Sequence, residues 1–114
     1  MLSKHYRLLD ALPNPVVIMD NDMHITFINK AMLMLSGFSL KDCIGKHCSI
    51  FATPLCNIEN CCIKQYQRGE SAIQYLPNGG ANRISISVLY NKKNKPIGYI
   101  IVIFLNETKI IFLL

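Results

Sequence analysis

The residues of this chain that could do chemistry gather in one segment, His47-Cys48 through Cys61-Cys62, which holds four of the five cysteines. Thiolates bind soft metals and exchange disulfides, so more than one chemistry is open to such a group. Cys48, Cys56 and Cys61 are separated by seven and four residues, with His47 or Cys62 on hand as a fourth ligand. Structural zinc sites pair ligands at C-x2–4-C, so only the second interval fits, at the edge of that range. Cys56 and Cys61 are also near enough for a reversible disulfide across a loop–helix junction. Set against both is a plainer reading: Cys61 and Cys62 fall on the apolar face of a helix, where a free cysteine acts as a small hydrophobe. Inert thiols therefore lead, a thiol–disulfide switch comes second, and a metal or iron–sulfur site is allowed but not favoured. Of the histidines, His24 follows a tight turn and is expected to be exposed, His5 is expected to be solvated, and His47 alone is not diagnostic of haem.

Catalytic apparatus is missing from the rest of the chain. It has no Gly-rich phosphate loop, nucleophile elbow or paired-carboxylate motif, and its seven acidic residues fall mostly in turns and caps. The domain is expected not to be an enzyme, and no cofactor is required by its residues.

The elements that must position these groups fit one domain of 114 residues, 51% apolar and 17% charged. The net charge is +5, but the positive residues are scattered. Their one close group, Lys92, Lys93 and Lys95, reads as a solvated hairpin tip, so nucleic acid is not an expected partner. Nor is a membrane: the longest apolar stretch, Ile97 to Leu114, is broken by Asn106, Glu107, Thr108 and Lys109. An odd cysteine count and the lack of a secretory signal argue against a disulfide framework and make the cytoplasm the default.

Leu8, Leu9 and Leu12 predict a short amphipathic helix over residues 3–12, stopped by Pro13 and Pro15. Val16–Met19 and His24–Asn29 predict a hairpin about the turn Asp20-Asn21-Asp22, with Ile25 and Phe27 alternating against Thr26 and Ile28. Asn29 can cap a helix over 30–36, and Gly37 can end it in the left-handed conformation. Ser39 with Asp42 starts a second short helix that Gly45 closes, and residues 46–56 read as irregular. A third helix, capped by Asn57 or Asn60, ends before Gly69, with Ile58, Cys61, Cys62, Gln65 and Tyr66 on one face. Beyond it the period changes to strands over 71–76, 83–90 and 97–105. Ile84, Ile86, Val88 and Tyr90 alternate with Ser85 and Ser87 in the second of these, while the last is apolar on both faces. Met19, Met23, Met32 and Met34 suit a deformable wall or plain core. Two strands, three short helices and three strands make an α+β fold, one antiparallel sheet with helices on one face and an N-terminal amphipathic helix ahead of it.

In this order the residues resemble the PAS sensory family from about Leu9 to Thr108. The markers are Leu-Pro-Asn-Pro-Val-Val-Ile-Met-Asp (12–20), Ile-Thr-Phe-Ile-Asn-Lys-Ala (25–31), Leu-Ser-Gly-Phe-Ser (35–39), Ile-Gly-Lys (44–46) and Pro-Ile-Gly-Tyr-Ile (96–100). Gly45, Lys46, Cys48, Phe51, Cys56 and Cys61 further resemble a cysteine-containing subset found in bacterial sensor histidine kinases and sigma-54-dependent regulators. The resemblance implies a PAS fold: a five-stranded antiparallel sheet whose helical face encloses a small pocket. Phe27, Met32, Leu35, Ile63, Tyr66, Ile86, Val88, Ile101 and Ile103 are the expected lining. It also implies a sensor or dimerisation module for a kinase, cyclase, chemoreceptor or transcriptional regulator, working as a homodimer linked to an output domain. Asn106, Glu107 and Thr108 fall where many PAS domains carry an Asp-x-Thr signal junction, with Asn here in place of Asp. No flavin-type cysteine signature is present. The expected organisation is an N-terminal helix or linker at 1–13, the PAS domain at 14–108, and at 109–114 the start of a linker to a following output domain.

Overall fold

The structure, a computed structural model, describes residues 4–51, 62–69, 73–76 and 80–104. Helix α1 spans Lys4–Asp10, and Pro13 and Pro15 separate it from strand β1, Val16–Asp20. Strand β2, Ile25–Ile28, returns from the Asp20-Asn21-Asp22 turn. Three short helices follow: α2, Lys30–Ser36; α3, Leu40–Cys43; and, after a 3-10 turn at Cys48–Phe51, α4, Cys62–Gln67. Strands β3, Ile73–Leu76, β4, Gly80–Tyr90, and β5, Pro96–Phe104, complete the described residues. They form one five-stranded sheet in the order β2-β1-β5-β4-β3, with every neighbouring pair antiparallel.

The first and last strands therefore lie side by side at its centre. Val16 pairs with Val102 and Asp20 with Gly98, while β5 pairs along its other edge with β4. The apolar character of β5 on both faces follows from this place, since its inward residues meet the helices and its outward ones the back of the sheet.

Local chemistry sets most boundaries. Asn29 has extended backbone angles and its side chain accepts a hydrogen bond from Met32 N–H, which caps α2. Gly37 ends that helix at φ 78°, in the left-handed region. Asp20 Oδ1 accepts the backbone N–H groups of Asp22 and His24, each at 2.9 Å, and so builds the β1–β2 turn. Asn91 Oδ1 does the same for Lys93 and Lys95 in the exposed β4–β5 hairpin.

Three details differ from the sequence pattern. Strand β2 carries a bulge opposite Ile18 and Met19, so its alternation breaks. Ile25 and Ile28 both face the core, and Phe27 turns to the back of the sheet, where its ring stacks on Tyr6. Strand β4 begins at Gly80, three residues before the expected start, because Leu76 pairs directly with Gly80. At its far end the register slips between Leu89 and Tyr90, and Tyr90 is 60% exposed instead of continuing the core face.

Residues 45–48, of which 46–48 fall in the stretch expected to be irregular, add a short ladder to the free edge of β2. Ile25 N–H donates to the Lys46 carbonyl, Gly45 N–H to that of Ile25 and Cys48 N–H to that of Met23. This covers an otherwise open sheet edge, which would be a template for unwanted pairing.

Candidate functional site

The helices and the sheet enclose one apolar cluster. Val17 and Met19 come from β1, Ile25 and Ile28 from β2, Ile84 from β4, and Ile101 and Ile103 from β5. Against them Met32 projects from α2, Cys43 from α3 and Ile63 from α4. Met23, Leu33, Leu35, Cys48, Ile50, Phe51, Ile86 and Tyr99 pack around it half-buried. Among the described residues no charged side chain is buried, and Asn29 is the buried polar one. Its wall suits an uncharged apolar group.

Of the expected pocket residues, Met32, Ile63, Ile101 and Ile103 are in the buried cluster, and Leu35 and Ile86 pack against it. Tyr66 is half-buried and meets Tyr99 edge-on at 6.3 Å, and Val88, beside Tyr99 in the β4–β5 register, is half-buried too. Phe27 stands apart from the cluster, on the opposite face of the sheet. The methionines divide: Met19 and Met32 are inside, Met23 lies against the cluster, and Met34 is 85% exposed. Cys43 was no candidate on spacing, yet it is the cysteine most enclosed among those described, at 0% exposed. Burial in apolar surroundings, with the nearby Asp42 charge adding to it, pushes its thiol pKa above the ordinary 9.0. The protonated thiol is thereby kept, and with it an inert side chain.

Of the proposed thiol set, Cys48 packs against the cluster and Cys62 is described by its backbone. Cys48 is half-buried at the start of the 3-10 turn and Cys62 opens α4, while Cys56, Cys61 and the junction Asn106-Glu107-Thr108 lie outside the described residues. His47 is exposed and pairs with His24 in an isolated antiparallel bridge, their rings edge-on at 6.0 Å. His47 Nδ1 accepts the Ser49 N–H at 3.1 Å, so in the neutral ring the proton sits on Nε2. Asp20, Asp22 and His24 are the described residues whose ligand atoms come within 4.8 Å of one another. Asp22 and His24 are exposed, Asp20 is half-buried at the end of β1, and Asp20 Oδ1 is already committed to two backbone N–H groups.

Asn29 does more than its capping position announces. Its side chain is fully buried and uses both ends: Oδ1 accepts from Val16 N–H at 2.9 Å and Met32 N–H at 3.0 Å. Nδ2 donates to the carbonyls of Leu9 at 3.0 Å and Asn14 at 2.9 Å. One carboxamide thus joins α1, the α1–β1 connection, β1 and α2. The sequence signal was the asparagine itself at a strand–helix boundary, which accounts for one of the four bonds.

An antiparallel five-stranded sheet that holds short helices over one apolar face is the architecture of a sensory α+β domain. The chain belongs to the PAS family: the family profile described as "PAS fold" matches residues 9–103. PAS domains are sensory modules and generally non-catalytic. Among solved structures it is similar to the PAS domain of a protein from Colwellia psychrerythraea (TM-score 0.63, 17% identity, 88% of this chain and 92% of that one). It is likewise similar to an RNA-binding light-oxygen-voltage receptor (TM-score 0.65, 18% identity, 92% of this chain and 33% of that one). A third likeness is to the light-state dimer of the fungal blue-light photoreceptor Vivid (TM-score 0.59, 15% identity, 82% and 78%). At such identities the likeness speaks for the fold alone. No curated protein matches the sequence. Among the described residues no helix is long and apolar enough to cross a membrane.

Proposed function

We propose that the chain is the input module of a larger bacterial signal-transduction protein, one that takes a small uncharged apolar ligand against the core face and acts as a homodimer. The observation that carries this reading is the composition of that face. Its sheet side is mostly aliphatic, and its helical side is made of elements four to seven residues long, which among the described side chains contribute Met32, Cys43 and Ile63. Helices so short owe their place to tertiary packing, and thioether side chains repack easily, so the wall can open around a guest. Strand β5 then carries the change: Tyr99, Ile101 and Ile103 face the cluster while Ile100, Val102 and Phe104 face the back of the sheet. Phe104, 37% exposed, is the last described residue before the junction at 106–108. Leu8 and Leu12 on and after α1, 64% and 42% exposed, supply apolar surface for a second copy.

Xenon, which enters dry apolar cavities, tests the ligand reading. Methyl NMR under xenon pressure is expected to shift Met32, Leu35, Ile63, Ile86, Ile101 and Ile103 selectively. Shifts spread evenly over surface methyls, or none at all, would remove it. Sedimentation at micromolar concentration tests the assembly, and a monomer alone would remove the homodimer.

A further inference from the structure

His24 and His47 face each other across the edge of the sheet, and the backbone fixes that pairing. Ile25 N–H donates to the Lys46 carbonyl at 2.8 Å and Cys48 N–H to that of Met23 at 2.9 Å, one bond on either side of the histidines. His24 and His47 are therefore the directly opposed residues of an antiparallel bridge, at the non-hydrogen-bonded position where side chains come closest. Cβ atoms so placed stand about 4.5–5.5 Å apart and project to the same side. The rings do the same: their centroids are 6.0 Å apart, their planes are at 87°, and both side chains are exposed.

The turn before His24 adds carboxylates to this pair. Ligand atoms of Asp20, Asp22 and His24 lie within 4.8 Å of one another, and His24 Nδ1 is 3.7 Å from Asp20 Oδ1. Asp20 Oδ1 is engaged in building the turn, whereas the Asp22 carboxylate is exposed beside His24. From this juxtaposition we propose a site for a divalent transition-metal cation at the β2 edge, with His24, His47 and Asp22 as ligands and water in the remaining position. Imidazole nitrogens with one carboxylate oxygen favour zinc, nickel or copper over magnesium and calcium, which take oxygen ligands. Zinc needs each ring nitrogen at about 2.0–2.1 Å. The exposed rings reach it by rotation about their own side-chain torsions, since the backbone already holds them opposite each other. With the cation on Nε2 of His47, the ring proton sits on Nδ1. Ser49 Oγ, 3.0 Å from that nitrogen, accepts it, and the exposed Ser49 N–H turns to water. Such an outer hydrogen bond fixes the tautomer and orientation of a metal-bound histidine. The cation would tie the segment at 45–48 to β2 from outside the apolar cluster, so this site stands or falls separately from the ligand reading.

Zinc chloride titrated into the chelator-treated whole chain tests it, followed by calorimetry and by hydrogen exchange. Zinc uptake is expected, with slower exchange across residues 45–48 in the bound form. His24→Ala and His47→Ala should each weaken binding by about tenfold or more, since losing even a supporting partner costs a metal site that much, and Asp22→Asn should weaken it less. Cobalt(II) in place of zinc reports the donor atoms. The part of its spectrum lost with either histidine should hold no thiolate-to-metal band. If that part is a thiolate band, or if the whole spectrum survives both variants, the donors are cysteines and the proposal is overturned. A chain that takes up no zinc, or that binds it equally well without either histidine, overturns it too. Should an alanine variant lose the circular dichroism of the parent, His24→Gln or His47→Gln replaces it, and the same outcomes decide.

Discussion

The ring of Tyr6 lies over that of Phe27, centroids 4.6 Å apart and planes 19° from parallel. Phe27 is 2% exposed, so this contact closes the back of the sheet at the β1–β2 end. Phe27→Ala is expected to cost about 3–5 kcal/mol, as large aromatic truncations in buried sites do. Tyr6→Ala removes a half-buried ring and should cost less. A double-mutant cycle by urea unfolding should show a coupling of about 0.5–1.5 kcal/mol between the rings. Strict additivity would mean that the stack contributes nothing beyond burial.

Phe27 also shows where the sequence stopped being legible. Alternation put it on the face of Ile25, and only the bulge in β2 moves it across, a backbone event that no residue type in Ile-Thr-Phe-Ile demands. Caps and turns read well because their cause is local: Asn29, Gly37 and Asp20 act on backbone groups within four residues of themselves. The five-stranded antiparallel sheet was readable for the same reason, through its hairpin turns and strand runs. By contrast the bonds from Asn29 to Leu9, and the seating of Cys43 in the core, depend on segments distant in sequence and left no local trace. The ladder at residues 45–48 was missed because its partners are backbone groups, which any residue carries.

Gly98 faces the β1 backbone at the centre of the sheet, and a Cβ there would fall inside the shell of the Met19 carbonyl oxygen. The obstacle is a central ladder strand that cannot retreat without breaking its pairing with β5. Gly98→Ala is expected to lose about 3 kcal/mol or more, the top of the range seen for overpacking, because backbone atoms cannot move aside as a flexible side chain would. Gly37→Ala meets no atom within 4 Å and pays only for its left-handed φ of 78°, about 1–2 kcal/mol. Denaturant midpoints of the two variants therefore separate a steric from a conformational role, and a Gly37 variant as damaged as the Gly98 one would contradict this.

Cys43 should be the protected thiol. At 0% exposed and with its pKa raised above 9.0 by burial, it offers neither access nor thiolate. Brief alkylation of the native chain at pH 8, read by peptide mass spectrometry, is expected to label Cys48 well before Cys43. Equal rates would show that the α3 packing opens readily. The linkage sign follows: the native state is favoured fully below pH 9.0 and loses ground above it, where the unfolded thiol ionises and the folded one does not.

At the acid end, the carboxyl held low among the described residues is Asp20. The His24 backbone N–H is the main cause holding its carboxyl below the ordinary 3.8, helped by the Asp22 N–H and the His24 ring, while desolvation acts the other way. Since the folded value is the lower one, the stabilisation is complete above pH 3.8 and is lost as pH falls through the folded value. An asparagine keeps an oxygen that can accept both N–H bonds but cannot take up that proton. Asp20→Asn should therefore flatten the fall in unfolding free energy as pH drops below 3.8, leaving the profile near neutrality parallel to that of the parent chain. Urea unfolding at a series of acid pH values measures it. An unchanged acid slope would mean that the turn carboxylate is no better held in the fold than in the open chain, and that the β1–β2 turn is built by its backbone alone.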